Sequence, residues 1–263
     1  MSERVLAVDV GNTSITLGVF EGETLVQHWK IKTVRDQFPD DYATHLYSLF
    51  AMAQLPKPTA AVVASVVPPL GKTLVQALHS WDVDAVELES QNLGLTFELS
   101  DPRAVGVDRA VNAVAASEYL GDRECVLVID FGTATTLDAI ARPNRFLGGV
   151  IAPGPMTMAN ALFSATAKLP QVPFIAPQQA LGKNTQHALQ SGLVLGYADL
   201  IDGLVRRLKQ ELPDTFVVAT GGWFTILQDV CSTVDHYDEH LTLKGLFQAW
   251  TSERHAATLK TDV

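Results

Sequence analysis

Two short segments carry carboxylates and hydroxyls in one repeated pattern. VLAVDVGNTSITLGVF runs from Val5 to Phe20, and VLVIDFGTATTLDAI from Val126 to Ile140. In each, an apolar run ends in Asp-x-Gly, at Asp9 and Gly11 and again at Asp130 and Gly132, then enters a hydroxyl-bearing turn. Side by side, Asn12 and Thr13 align with Thr133 and Ala134. Glycine in a tight turn permits positive φ and lets a ligand reach the backbone. Successive turn amides can converge on an anion, and neighbouring hydroxyls add donors. A carboxylate beside such an anion repels it unless a cation intervenes, so Asp9 and Asp130 suit Mg2+ or a monovalent cation next to a phosphate. A single Asp-x-Gly reads as an Asx turn. A matched pair half a chain apart favours the chemical reading.

A third glycine element, TFVVATGGW (Thr215 to Trp223), is a strand running into two glycines, where a flat or charged ligand can approach the backbone. Competing phosphate motifs fail. LGKT (Leu70 to Thr73) mimics the end of a Walker A loop, but Val66 stands where that loop needs glycine and prolines interrupt it, so Lys72 reads as a surface residue. The seven histidines show no ligand spacing.

The elements that must position these residues repeat as well. Each Asp-x-Gly unit reads as a three-stranded meander, closed by a turn at EGET in the first copy and ARPN in the second, with LVQHWKIKT and RFLGGVIAPG as third strands. DDYATHLYSLFAMAQL, LGKTLVQALHSW and VDRAVNAVAASEYL have helical spacing, and AAVVASVV and DAVELES read as strands. NTQHALQSGLVLGYADLIDGLVRRLKQEL predicts a long helix or helix pair, and LTLKGLFQAWTSE a final helix. The pattern predicts two duplicated α/β domains, residues 1–120 and 121–263, divided near Gly121-Asp122.

Composition sets the outer bounds. With 263 residues, 47% hydrophobic and 18% charged, the chain is globular rather than disordered. A net charge of -10 argues against nucleic-acid binding, while a small anion can still be held by local backbone dipoles. Cys125 and Cys231 form no metal or disulfide pattern. MSERVLAVDVG does not read as a signal peptide, and the apolar run TAAVVASVVPPL is too short to span a membrane, so the expectation is a cytoplasmic protein without a membrane partner.

Together these residues resemble the actin, sugar kinase and Hsp70 superfamily, and the resemblance narrows within it. DVGNT at 9–13, DPRAVGVDR at 101–109, DFGTATT at 130–136, GGVIAPG at 148–154, LGKNT at 181–185, ATGG at 219–222 and LTLKGL at 241–246 follow in order the pattern of type III pantothenate kinases. The resemblance implies two ribonuclease-H-like domains of the actin-like ATPase fold, with the active site in the cleft between them. It implies ATP with Mg2+, a monovalent cation (K+ or NH4+), pantothenate as the small-molecule substrate, and a homodimer.

Carried over by residue, it makes Asp9, Val10, Gly11, Asn12, Thr13, Ser14, Ile15 and Thr16 the first ATP-binding segment and Thr133 part of the second. Asp130 becomes the monovalent-cation ligand. Gly106, Val107, Asp108 and Arg109 become the pantothenate segment, with Asp108 as catalytic base and Thr185 a further substrate contact. Two positions depart from the family pattern: Leu99 stands where tyrosine is usual, and Asp101-Pro102 replaces Asn-Pro. Asp108 would take the alcohol proton as that oxygen attacks the γ-phosphate. The dipole of the helix it opens is expected to lower its pKa. Arg109 would hold the substrate carboxylate or brace the loop. Two other readings stand beside this one: an accessory or regulatory protein that kept the fold without catalysis, and a small sugar-kinase-like phosphotransferase.

Overall fold

The computed structural model describes residues 3–261, which form two compact units. The first comprises the chain up to residue 95, residues 100–115 and the chain from residue 240 onward; the second comprises residues 96–99 and 116–239.

In the first unit, β1 (Arg4–Val10), β2 (Ser14–Glu21) and β3 (Thr24–Lys32) form an antiparallel meander. Helix α1 (Pro39–Met52) leads to β4 (Ala60–Ser65), parallel to β1, and α2 (Pro68–Ser80) leads to β5 (Asp84–Glu87), parallel to β4. The sheet order is β3-β2-β1-β4-β5. Strand β1 is apolar almost throughout because both its faces are covered. Leu6, Val8 and Val10 pack with Tyr42, Leu46 and Leu74 from α1 and α2. Val5 and Ala7, on the alternate face, pack with Val107 and Val111 of α3 (Val107–Ala116) and with Leu243 and Leu246 of α8 (Leu241–Thr261).

The second unit repeats the design. Strands β7 (Cys125–Phe131), β8 (Ala134–Ala141) and β9 (Arg145–Pro153) form a second antiparallel meander. After α4 (Pro155–Ser164), α5 (Thr185–Gln190) and α6 (Gly196–Glu211), β10 (Thr215–Thr220) lies parallel to β7. Beyond the single turn of α7 (Phe224–Leu227), β11 (His236–Tyr237) lies parallel to β10. The order β11-β10-β7-β8-β9 repeats β5-β4-β1-β2-β3 strand for strand. The paired Asp-x-Gly segments predict two duplicated α/β domains, and the shared strand order is the ribonuclease-H-like topology that the family resemblance implies. One addition breaks the symmetry: β6 (Thr96–Phe97) joins the free edge of β9 in parallel. It is fastened by Thr96 and Glu98 N–H bonds to the carbonyls of Asn144 and Phe146, both 2.9 Å.

Helices α5 and α6 run on through a π-helical segment, Ser191–Leu195. The stretch Thr185–Glu211 is long and apolar enough by composition to cross a membrane, yet Val194, Tyr197, Ala198, Ile201 and Val205 pack into the core of this unit against Leu127, Ile129 and Val217. Its apolar face is thus spent on the sheet. Asp202, on the same helix, is buried but accepts from the backbone and hydroxyls of Ser232 and Thr233. Burial opposes its ionisation, but the four donor groups outweigh it and hold its pKa below the usual carboxylate range. Both cysteines are free and buried, and burial pushes the Cys231 thiol up to about 12, so it is unreactive.

Candidate active site

The first hairpin ends β1 at the C-terminal edge of its parallel strands, the usual ligand position in such sheets. Asp9 pairs with Thr16, and Val10 with Ile15. Gly11, Asn12 and Thr13 form the turn, closed by the Gly11 N–H to Ser14 carbonyl bond at 3.0 Å. The loop after β3 clamps this turn from outside. Thr33 donates its hydroxyl to the Gly11 carbonyl at 2.7 Å and its N–H to the Thr13 carbonyl at 3.0 Å, and Arg35 donates to Asn12 Oδ1 at 3.1 Å. Val10 and Ile15 are core residues, so of the eight residues Asn12 and Thr13 at the tip of the turn are the exposed ones. Asp9 and Thr16 are half-buried at the strand ends.

The second hairpin differs by one residue. Asp130 pairs with Thr136 and Phe131 with Thr135. The Gly132 N–H bonds the Ala134 carbonyl at 3.1 Å, as Gly11 bonds Ser14. Ala134 therefore matches Ser14, not Thr13, and the one-to-one alignment of the two turns fails after the glycine, because the second loop is shorter. Thr133 is left exposed at the tip. Its carbonyl accepts the Gly154 N–H at 3.0 Å and the Thr157 hydroxyl at 2.6 Å. Thr135 is fully buried and bonds the Tyr197 hydroxyl at 2.7 Å.

Two glycines explain how tightly this unit is built. At Gly154 a Cβ would stand 2.2 Å from the Gly132 carbonyl and 2.5 Å from that of Thr133. At Gly221, with φ +89°, a Cβ would stand 2.7 Å from Asp130 Oδ1 and from the Phe131 backbone. The glycine pair after β10 thus lies against the carboxylate of the second Asp-x-Gly. A half-buried carboxylate at the end of each β1-type strand is a hard-oxygen donor that fits Mg2+ or K+. Only glycine leaves room beside Asp130.

The third component starts at Asp101, whose side chain accepts the Arg103 N–H at 3.2 Å and caps a 3-10 turn, Pro102–Ala104. Aspartate here does the turn-closing work open to asparagine, which accounts for Asp-Pro in place of Asn-Pro. Helix α3 follows at once. Asp108, in its first turn, is half-buried, and its Oδ1 accepts the Arg109 N–H at 2.8 Å. The same oxygen lies 2.5 Å from where a Cβ on Gly106 would stand, so the carboxylate occupies space that a side chain there would fill. Burial pushes the Asp108 pKa above the usual carboxylate range, against the opposing pull of the Arg109 amide and charge. The dipole expectation is thereby corrected: desolvation outweighs the helix terminus.

These parts share one edge of the first sheet. The Val66 N–H, just past β4, bonds the Val10 carbonyl at 3.1 Å, and Val66 Cγ1 lies 3.7 Å from the Cβ position on Gly106. Asp9 to Thr16 and Gly106 to Arg109 are thus set by neighbouring strand ends within one unit. Leu99 and Thr185 belong to the second unit. Leu99 lies over the backbone of Gly148, its Cδ2 3.4 Å from the Cβ position there, so an apolar cover stands where the family carries a tyrosine. Thr185 is exposed at the start of α5, which Asn184 caps by accepting the His187 N–H at 2.9 Å. Lys72 is exposed on α2, as its failed motif implies. Gly154 is read only as part of the GGVIAPG stretch, and Thr157 and Tyr197, which also bear on the second hairpin, go unread in the sequence. Their signal lies only in the GGVIAPG stretch and in a tyrosine on an otherwise aliphatic helix face.

Duplicated sheets with a matched hairpin on each define an actin-like ATPase fold. Solved structures agree at the level of fold. A putative Baf family transcriptional activator from Campylobacter jejuni matches with a TM-score of 0.62 at 18% identity, over 95% of this chain and 99% of its own. An inorganic polyphosphate/ATP-glucomannokinase from Arthrobacter matches with 0.52 at 12% identity, over 95% and 99%. Sequence narrows the class further. Residues 5–207 match the type III pantothenate kinase family. A type III pantothenate kinase of Deinococcus radiodurans is 47% identical over 252 residues, 94% of this chain and 96% of that protein. One from Thermus thermophilus is 48% identical over 245 residues, 93% and 97% respectively. The chain belongs to the type III pantothenate kinase family.

Proposed function

We propose that this protein transfers the γ-phosphoryl group of ATP to the primary alcohol of pantothenate, the first step towards coenzyme A, with Asp108 as the base. The observation that carries the assignment of the base is the placement of Asp108: a carboxylate at a helix start, held by the Arg109 amide, sited over Gly106 and raised in pKa by burial. A base works best when its pKa approaches the working pH, and a raised carboxylate is closer to it than an ordinary one. It accepts the alcohol proton as that oxygen attacks phosphorus and the bond to the β-phosphate oxygen breaks.

The first turn, Gly11 to Ser14, with Thr133, holds the phosphates. Asp9 and Asp130 would hold the cations, Asp130 a monovalent one. When bound, these ions supply the positive charge that lets phosphates lie beside carboxylates. Gly106, Val107 and Arg109 bind pantothenate, Arg109 through its carboxylate, and Leu99 and Thr185 complete its contacts. Leu99 offers surface but no hydroxyl, so this chain recognises pantothenate with one polar contact fewer on that side. We further propose that the working enzyme is a cytoplasmic homodimer.

Phosphorus-31 NMR of a reaction containing MgATP, K+ and pantothenate tests the reading. A phosphomonoester of pantothenate appearing with ADP is the expected result. ADP and inorganic phosphate alone, or a sugar phosphate formed preferentially when a hexose competes, would refute it.

A further inference from the structure

The second hairpin is held from behind by side chains that no binding motif includes. The Thr133 carbonyl accepts twice, from Gly154 N–H at 3.0 Å and from Thr157 Oγ1 at 2.6 Å. Both donors belong to the start of α4: Gly154 is its N-cap residue and Thr157 lies in its first turn. Behind them, the buried Tyr197 hydroxyl donates to the Pro153 carbonyl at 2.9 Å and bonds Thr135 Oγ1 at 2.7 Å. It thereby ties β8, which leaves the turn, to the last residue of β9, which enters α4. A peptide group is planar, so holding the Thr133 carbonyl also holds the direction of the Ala134 N–H on the opposite side of the same plane.

We propose that Thr157 and Tyr197 are positioning residues for the nucleotide. They touch no substrate; they set the orientation of the Thr133-Ala134 peptide, whose N–H is the donor offered to an ATP phosphate. The inference rests on the reading of Thr133 as a phosphate contact. It explains why Thr157, an exposed residue, spends its hydroxyl on a turn carbonyl. It also explains why an aromatic hydroxyl is placed inside an apolar cluster with Ile201 and Val205: burying a hydroxyl costs free energy unless its bonds are made.

The test compares Thr157→Val, Thr157→Ser and Tyr197→Phe with the parent protein. Affinity for MgATP is titrated in the absence of pantothenate, and KM for each substrate is measured separately. A lost hydrogen bond of ordinary strength corresponds to about a tenfold change. Thr157→Val is expected to weaken MgATP binding and raise KM for ATP by about tenfold, while KM for pantothenate stays within about twofold. Thr157→Ser, which keeps the hydroxyl, is expected to restore both. Tyr197→Phe should show the same selectivity together with a lower thermal midpoint. Asp202→Asn, in the same unit but bonded to Ser232 and Thr233 instead, serves as the destabilising control and should lower the midpoint without moving KM for ATP. If Thr157→Val and Tyr197→Phe leave MgATP affinity unchanged, or Thr157→Ser fails to restore it, the proposal is overturned. A parent protein that binds MgATP but never phosphorylates pantothenate would instead overturn the substrate assignment, and the titrations would still decide the role of Thr157.

Discussion

Asp108 shows how two physical effects at one residue compete, and which wins. Its place at the start of α3 is legible in the sequence, and the helix dipole there favours the ionised form by about 0.3–1 kcal/mol. Its burial is not legible, because it depends on Gly106 and on residues far away in the chain. Burial prevails and the pKa rises. A carboxyl raised in the folded state stabilises the fold below its unfolded pKa, and that contribution is lost as pH rises through the folded pKa. At neutral pH the ionised Asp108 is therefore a net cost to the fold.

Asp108→Asn should accordingly lower kcat by about 10²–10⁴-fold while raising stability at neutral pH. The stability difference should vanish in acid below the ordinary carboxylate range. In the parent enzyme the acid limb of the rate profile should lie above that range. A variant that is both inactive and less stable at neutral pH would show Asp108 to be a structural residue. Thr135 makes the opposite point. In the sequence its hydroxyl suits either a phosphate contact or a strand residue; it is fully buried on Tyr197, and only a tertiary contact could reveal that.

At the scale of elements, α3 owes its position to α8. Gly245 sits so close that a Cβ would stand 2.2 Å from the Val111 carbonyl, and the Thr242 hydroxyl donates to Asn112 Oδ1 at 2.7 Å. This accounts for the glycine in LTLKGL, which periodicity alone reads as a weak point in a helix. Gly245→Ala should destabilise the protein by about 1–3 kcal/mol through overpacking and depress kcat, because the helix it displaces carries Asp108. Gly203→Ala on α6 is the contrast: the nearest atom to its Cβ is 4.0 Å away, at the Arg206 guanidinium. It should stabilise by about 0.5–1 kcal/mol through helix propensity. Equal thermal midpoints for the two variants would contradict the packing account. The inner strands were legible as short continuous apolar runs, covered on both faces, β3 by its alternation, and most helices by period 3.6. The attachment of β6 was not, since two residues have no period and the strand is defined by backbone bonds to β9.

At the scale of the whole molecule, the duplication was legible because each copy kept Asp-x-Gly after an apolar strand, and the two sheets repeat one strand order. The unequal turns were not legible. Side-by-side alignment cannot tell where a loop has lost a residue, and only the Gly132 N–H to Ala134 carbonyl bond fixes it. The return of the last helix to the first sheet was equally hidden, since Leu243 and Leu246 would suit any apolar surface. A chain of net charge -10 acting on two anions must rely on local donors and cations. The most direct test is therefore ADP release by the purified protein with MgATP, with and without pantothenate, in K+ or in tetramethylammonium. The account predicts turnover that requires pantothenate and falls sharply when K+ is replaced. Turnover indifferent to pantothenate, or supported equally by a hexose, would contradict it.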